Sequence, residues 1–457
     1  MRTDRLLPVI LSVITWCALA AAATPERQLT QKIDAYILPY VDTANFSGNV
    51  LLKKDGRVLF QKTYGLADRE RQTANTKSTR FHIASISMQF TSAAILRLID
   101  EGSLTLDTHV GEFVHGIPGA EQITIRDLLM ERSGLPDINN LPDYNDILQQ
   151  HQTPATLVGK IQGQSLLFEP GSKYLHEEHS AFNLLALIIE KKTGMPFRAA
   201  VQKLVLQPAG LKDSGADDDS DLGPDIAIGY APEGTYGLKR AETIHWSAKT
   251  GNASIYTTVG DEDRFVDAFL SGRFLSSSSR KAALDTSERV GYGWFKSENR
   301  RFNEMAYYMN GRAPGFASFV LHLPRENMTV VVLSNIYASV TTTIGNDVAA
   351  ITLNLPYTSF KPGRRLSADE LKASAGAFQF GPDFYQANAK LILAPSGNEL
   401  SLQWPSGSSS FLIPLGRDRF VDRSYWEEVR IERDQAGRPA ALGYGSFRGS
   451  AVKATPQ

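Results

Sequence analysis

Ser85 opens the stretch best equipped for chemistry, Phe81-His82-Ile83-Ala84-Ser85-Ile86-Ser87-Met88-Gln89-Phe90-Thr91. A serine hydroxyl is a poor nucleophile and needs a base. Placed at a helix start, it also gains backbone N–H donors for a developing oxyanion. The residue three positions on lies one turn away on the same face, where a lysine would serve as that base. Met88 stands there instead. Methionine is unbranched and about as long as lysine, so it fills the same slot without charge. The plain alternatives are that Ser85 only caps a helix and that Met88 is only core.

Two further clusters carry polar chemistry. His176-Glu177-Glu178-His179 offers imidazoles and a carboxylate that could act as a base for Ser85, or sit as a solvated loop. Its histidines are three apart, a spacing that can bind a metal on a helix. No HExxH pattern or cysteine partner accompanies them, so neither a metal nor a cofactor is expected. Met309-Asn310-Gly311-Arg312 combines a second methionine, a glycine that lets a strand approach a ligand closely, and an arginine able to hold a carboxylate or phosphate.

Elements that position these residues follow from periodicity. Apolar spacing predicts helices at Glu26–Val41, Ser85–Glu101, Ile123–Met130, Ala181–Lys192, Asp261–Gly272 and about Thr341–Leu353. Phe46–Tyr64 reads as a hairpin turning at Lys54-Asp55-Gly56. Strands are predicted at Glu304–Gly311, Phe316–Leu323 and Met328–Ser334, the last two joined by Pro324-Arg325-Glu326-Asn327. Pro356–Arg365 reads as a linker. Beyond it, six short runs between Ala377 and Tyr444 predict a small antiparallel barrel or sandwich.

Several landmarks occur in one order: Ile83-Ala84-Ser85-x-Ser87, Leu128-Leu129-x3-Ser133-Gly134-Leu135-Pro136, Phe168-Glu169-Pro170-Gly171, Leu184-Leu185-x2-Ile188-Ile189-Glu190-x2-Thr193-Gly194, Pro314-Gly315-Phe316 and Val330-Val331-Val332-Leu333-Ser334-Asn335. The series resembles the serine β-lactamase and penicillin-binding-protein-like superfamily, in its class C β-lactamase, D-alanyl-D-alanine carboxypeptidase and esterase branch. The resemblance covers about residues 29–355. It implies an α/β (α+β) fold, an antiparallel sheet flanked by helices with an all-helical insertion, here followed by a small all-β domain.

It also implies three motifs, and the chain departs from each. Met88 replaces the lysine that follows the nucleophile. The second motif, Tyr-x-Asn, should follow Pro170-Gly171. Counting forward from Pro170 places His176 at the tyrosine. Counting back from Leu184-Leu185 places Glu177 there and His179 at the asparagine. Met309 replaces the basic residue of a Lys/His-Thr-Gly strand, while Gly311 is kept. Three readings follow: a degenerate relative that binds a small acyl or peptide ligand, an active serine hydrolase using Ser85 with His176, His179 or Glu177, or a structural envelope protein without a ligand.

Composition bounds the setting. The 457 residues carry 48 basic and 49 acidic side chains, so no strong field favours nucleic acid. Arg2 and Arg5, the apolar run Leu6–Leu19 and Ala21-Ala22-Ala23 read as a secretory signal spanning residues 1–23. The only cysteine, Cys17, falls inside it. Its removal would leave no thiol, no disulfide and no membrane anchor, which fits a bacterial periplasm or exterior. The expected organisation is therefore a signal peptide (1–23), a β-lactamase-like domain (24–355), a linker (356–365) and a β-rich domain (366–457).

Overall fold

The computed structural model describes residues 25–175, 178–284, 289–338 and 340–452. The expected signal segment therefore lies outside the described residues, as do His176 and Glu177. Among the described residues no helix is long and apolar enough to cross a membrane.

Helix α1 (Pro25–Asp42) leads into the hairpin β1 (Gly48–Lys54) and β2 (Arg57–Tyr64). Helices α2 (Ser87–Asp100), α3 (His179–Thr193) and α4 (Val259–Ser271) follow, with shorter helices between them. Strands β3 (Val290–Gly291), β4 (Trp294–Asn299), β5 (Glu304–Ala313), β6 (Phe316–Leu323) and β7 (Met328–Ser334) then precede helix α5 (Val340–Thr352). The strands form one antiparallel sheet in the order β3-β4-β5-β6-β7-β1-β2, so the N-terminal hairpin closes against the last strand of the domain.

Both faces of the sheet are covered, and period-two alternation assigns each side chain. Val50, Leu52, Val330 and Val332 join the core beneath α1 and α5. Leu51, Val331, Leu333 and Met309 join the larger core shared with α2, α3 and α4. That explains why β1 and β7 read as continuous apolar runs rather than alternating ones. The predicted β5–β7 strands and the hairpin form as expected, and β5 runs two residues further, to Ala313.

The C-terminal region is a closed antiparallel barrel of eight strands: β8 (Gly376–Gln379), β9 (Lys390–Ser396), β10 (Glu399–Gln403), β11 (Ser409–Gly416), β12 (Arg419–Asp422), β13 (Glu428–Arg433), β14 (Pro439–Tyr444) and β15 (Phe447–Val452). The pairing of β8 with β15 closes it. The segment expected as a linker is docked. Phe360 stacks on Tyr40 of α1 with ring centroids 4.9 Å apart and meets Trp426 edge-on. Ile413 and Val421 of the barrel enter the same core as α1 and β1.

Candidate active site

Ser85 sits in a 3-10 turn, Ala84–Ile86, that precedes α2. The helix itself begins at Ser87, two residues later than the sequence suggests. The hydroxyl is no helix cap: Ile83 and Ile86 occupy the cap positions, and neither makes a side-chain capping bond. Ala84 adopts a left-handed conformation, φ 50°. A non-glycine residue there is strained by ~1–3 kcal/mol, so surrounding structure must hold it. One hold is visible. Ser318 Oγ of β6 donates to Ile83 O at 2.6 Å, and Ile83 N donates to Ile255 O at 2.9 Å. Ser87 anchors the other side, its Oγ accepting from Ile255 N at 3.0 Å.

Strand β5 runs against this turn. A Cβ on Gly311 would lie 2.5 Å from Ile83 O and 2.8 Å from Ser85 N, both backbone atoms. Glycine is therefore required for the strand to lie that close to the serine. Alternation along β5 puts Met309 on the same face as Gly311. Met309 and Met88 are 3% and 1% exposed and belong to one hydrophobic core. The two positions where the resemblance implies cations are thus buried together in apolar surroundings. Ser85 itself is only 9% exposed.

The Ser133-Gly134-Leu135-Pro136 landmark has a local role. Glu178 is wholly buried and accepts from Ser133 Oγ at 2.7 Å and Ser133 N at 3.1 Å. Burial pushes its carboxyl up to about 7, against the lowering effect of those bonds and of the Gly134 and Leu135 amides. Gly134 must be glycine: its φ is +74° and a Cβ would lie 2.3 Å from Phe168 O. The loop and the segment before α3 are locked to each other.

His179 opens α3 and is engaged within that wall. Its Nδ1 lies 3.0 Å from Asp137 Oδ2 and 3.0 Å from Asn139 Nδ2. Asn310 is exposed on β5. Arg312 alternates away from Gly311 and lies over two aromatic rings, 4.2 Å from the Tyr337 centroid and 5.2 Å from that of Tyr425 in the barrel. Its Nε is buried without an acceptor among the described residues.

Sequence reasoning passed over a second wall. His82, three residues before Ser85, stacks on Trp246 with centroids 3.6 Å apart and planes 3° apart. Its Nε2 meets Asp217 Oδ2 at 2.8 Å, and burial holds its pKa down. Trp246 begins the 3-10 turn that ends in Lys249. Lys249 is 7% exposed and hydrogen-bonds Tyr144 OH, with Nζ 4.9 Å from the ring centroid. Burial and the nearby Asp137 and Tyr337 raise the Tyr144 pKa. No local spacing joins Tyr144 to Lys249, 105 residues apart, so only the fold reveals the pair.

Comparisons with known proteins agree with this architecture. The model of the beta-lactamase family matches residues 33–353. Protein flp of Staphylococcus aureus (strain MRSA252) is 26% identical over 322 residues, which cover 67% of this chain and 63% of that protein. This chain therefore spans less than two thirds of flp. The putative penicillin-binding protein PbpX of Bacillus subtilis (strain 168) is 26% identical over 319 residues, covering 69% of this chain and 77% of PbpX. Among solved structures, a penicillin-binding protein from Bacillus halodurans superposes with TM-score 0.61 at 24% identity, over 70% of this chain and 98% of that one. The octameric penicillin-binding protein homologue from Pyrococcus abyssi gives TM-score 0.65 at 20% identity, over 92% and 99%. D-amino acid amidase from Ochrobactrum anthropi SV3 gives 0.62 at 20%, over 71% and 99%. These structural likenesses establish the fold.

Proposed function

This chain belongs to the beta-lactamase family, and from that premise we propose that it binds a carboxylate-bearing acyl or peptide ligand without efficient turnover. The observation that carries the reading is the burial of Met88 and Met309, 1% and 3% exposed, in one apolar core. A methionine holds no proton to transfer, and loss of one member of a coupled catalytic unit lowers rate by about 10⁴–10⁶. Ser85 keeps its strained turn and the close approach of Gly311, features that favour a retained recognition surface over a purely structural role. Arg312, which lies over tyrosine rings on the face of β5 opposite Gly311, is the cation assigned to a ligand carboxylate that reaches past the strand from Ser85. Action outside the cytoplasm is part of the same proposal and rests on the leader-like segment before residue 24.

The test is intact-mass analysis after incubation with a fluorophosphonate and with a penicillin, alongside calorimetry with an acyl-D-alanyl-D-alanine peptide. The expected result is no covalent adduct, with saturable peptide binding that Arg312→Met weakens. An adduct that disappears in Ser85→Ala would sink the reading.

One observation favours a second reading, an active serine hydrolase with a relocated base. Lys249 is a buried amine bonded to the Tyr144 phenol, beside the wall that stacks on His82. A lysine serves as a general base only in its neutral form, so this reading requires Lys249 to have lost its proton. In that case the adduct forms, and Lys249→Met abolishes it as fully as Ser85→Ala.

A further inference from the structure

Behind the His82 wall, three segments remote in sequence converge. His151 Nδ1 lies 2.8 Å from Asp219 Oδ2, and His245 Nδ1 lies 3.2 Å from the same oxygen. The ligand atoms of all three residues fall within 4.8 Å of one another. His151 comes from the loop after the helix Tyr144–Leu148, Asp219 from the loop after the short strand Gly215–Ala216, and His245 precedes the 3-10 turn Trp246–Lys249.

We propose that His151, Asp219 and His245 form a binding site for one divalent transition-metal ion, of which Zn²⁺ fits best. Two imidazoles and one carboxylate are a nitrogen- and oxygen-rich set suited to zinc. With metal–ligand bonds of about 2.0–2.1 Å, tetrahedral ligand atoms stand about 3.4 Å apart. The observed separations of 2.8 and 3.2 Å need only a small outward shift of exposed rings. Three protein ligands leave a fourth position open to water, and the histidine side chains are 59% and 44% exposed, so an ion can enter.

The carboxylate is already oriented for this role. Asp219 Oδ1 accepts from Ser247 N at 3.1 Å, which leaves Oδ2 to face both rings. Asp219 N donates to Asp217 Oδ1 at 2.8 Å, and the other oxygen of Asp217 holds His82. Such outer hydrogen bonds fix ligand orientation in metal sites. Bound metal would brace three loops that back the His82–Trp246 stack, and through it the turn carrying Ser85.

The experiment uses the full chain, stripped with EDTA and dialysed. Zn²⁺ is titrated calorimetrically, thermal unfolding is followed with and without Zn²⁺, and Co²⁺ absorption reports the ligand set. The expected result is one Zn²⁺ per chain, a Tm that rises with Zn²⁺ concentration, and binding weakened by ~10-fold or more in His151→Ala, His245→Ala and Asp219→Asn. Circular dichroism confirms that each variant is folded before it is titrated. The proposal falls if the wild type binds no Zn²⁺ at millimolar concentration, or if the double variant His151→Ala/His245→Ala keeps wild-type affinity. It also falls if the variants lower the Tm of metal-free protein while Zn²⁺ leaves the wild-type Tm unmoved, which is the signature of a hydrogen-bond cluster alone. None of these outcomes bears on reactivity at Ser85.

Discussion

Arg423 Nε donates to Asn45 Oδ1 at 2.9 Å, joining the barrel to the turn before β1. The guanidinium is wholly buried and also donates to the carbonyls of Ala44, Gly234 and Gly237 at 2.7–2.8 Å. Burial holds its pKa down to about 10, so it stays charged at neutral pH. Backbone carbonyls and the Asn45 amide oxygen accept from the cation. The two domains are therefore tied by a polar plug as well as by the apolar contacts of Ile413 and Val421.

Arg423→Met should leave these carbonyls buried without a donor, at ~1–3 kcal/mol each. The expected loss is about 3 kcal/mol or more in chemical denaturation, with barrel and sheet no longer melting together. A loss below ~1 kcal/mol would mean that the plug contributes no more than a surface pair.

Glu178 sets a pH dependence. Its folded pKa, about 7, lies above the ordinary carboxylate value of 4.5. The folded state thus binds more protons than the unfolded one between these values. Its contribution to stability falls as pH rises from about 4.5 to about 7 and is flat above. The size is about 3 kcal/mol at 1.36 kcal/mol per unit. Denaturation midpoints across this window should show the fall, and Glu178→Gln should flatten it. An unchanged slope in the variant would assign the effect to another group.

Met88→Lys tests whether the slot still accepts a charge. Placing an ammonium in the apolar core should cost ~3 kcal/mol or more and depress the lysine pKa. Met88→Leu should cost below ~1.5 kcal/mol. Equal stability of the two variants would show that water reaches the position.

Gly311→Ala should push β5 off the Ser85 turn, since the new methyl meets backbone atoms at 2.5 and 2.8 Å. A cost of ~1–3 kcal/mol is expected, together with loss of peptide binding. Wild-type binding in this variant would place the ligand away from Ser85.

Much of the sheet was legible because buried strands leave apolar runs. Val330–Ser334 and Val50–Leu52 are buried on both faces. The pair β3 and β4 was not, because β4 has only six residues and all but Trp294 are partly or fully exposed. In the barrel, β12 has four residues and β15 contains glycine and serine in place of branched residues. Ser85, Gly311 and the Ser133–Pro136 loop were legible because each acts within one motif. Tyr144, Lys249, Tyr337 and Tyr425 were not, since their relations cross 105 residues from Tyr144 to Lys249 and reach Arg312 from separate segments. The expected linker misled for a related reason. Its Pro/Gly content is ordinary for a loop, but Phe360 supplies an anchor that composition does not reveal.

The left-handed turn at Ala84 has a practical consequence. Main-chain strain there stands beside Met88 and Met309, the two positions where the family resemblance implies cations. On the proposed reading, the path of the chain at Ser85 is separable from its reactivity. For enzyme engineering, this molecule is a chassis whose backbone is already machined. On that reading, installing activity becomes a problem of side-chain exchange at Met88, at Met309 and in the second motif, beside a turn whose backbone is already formed.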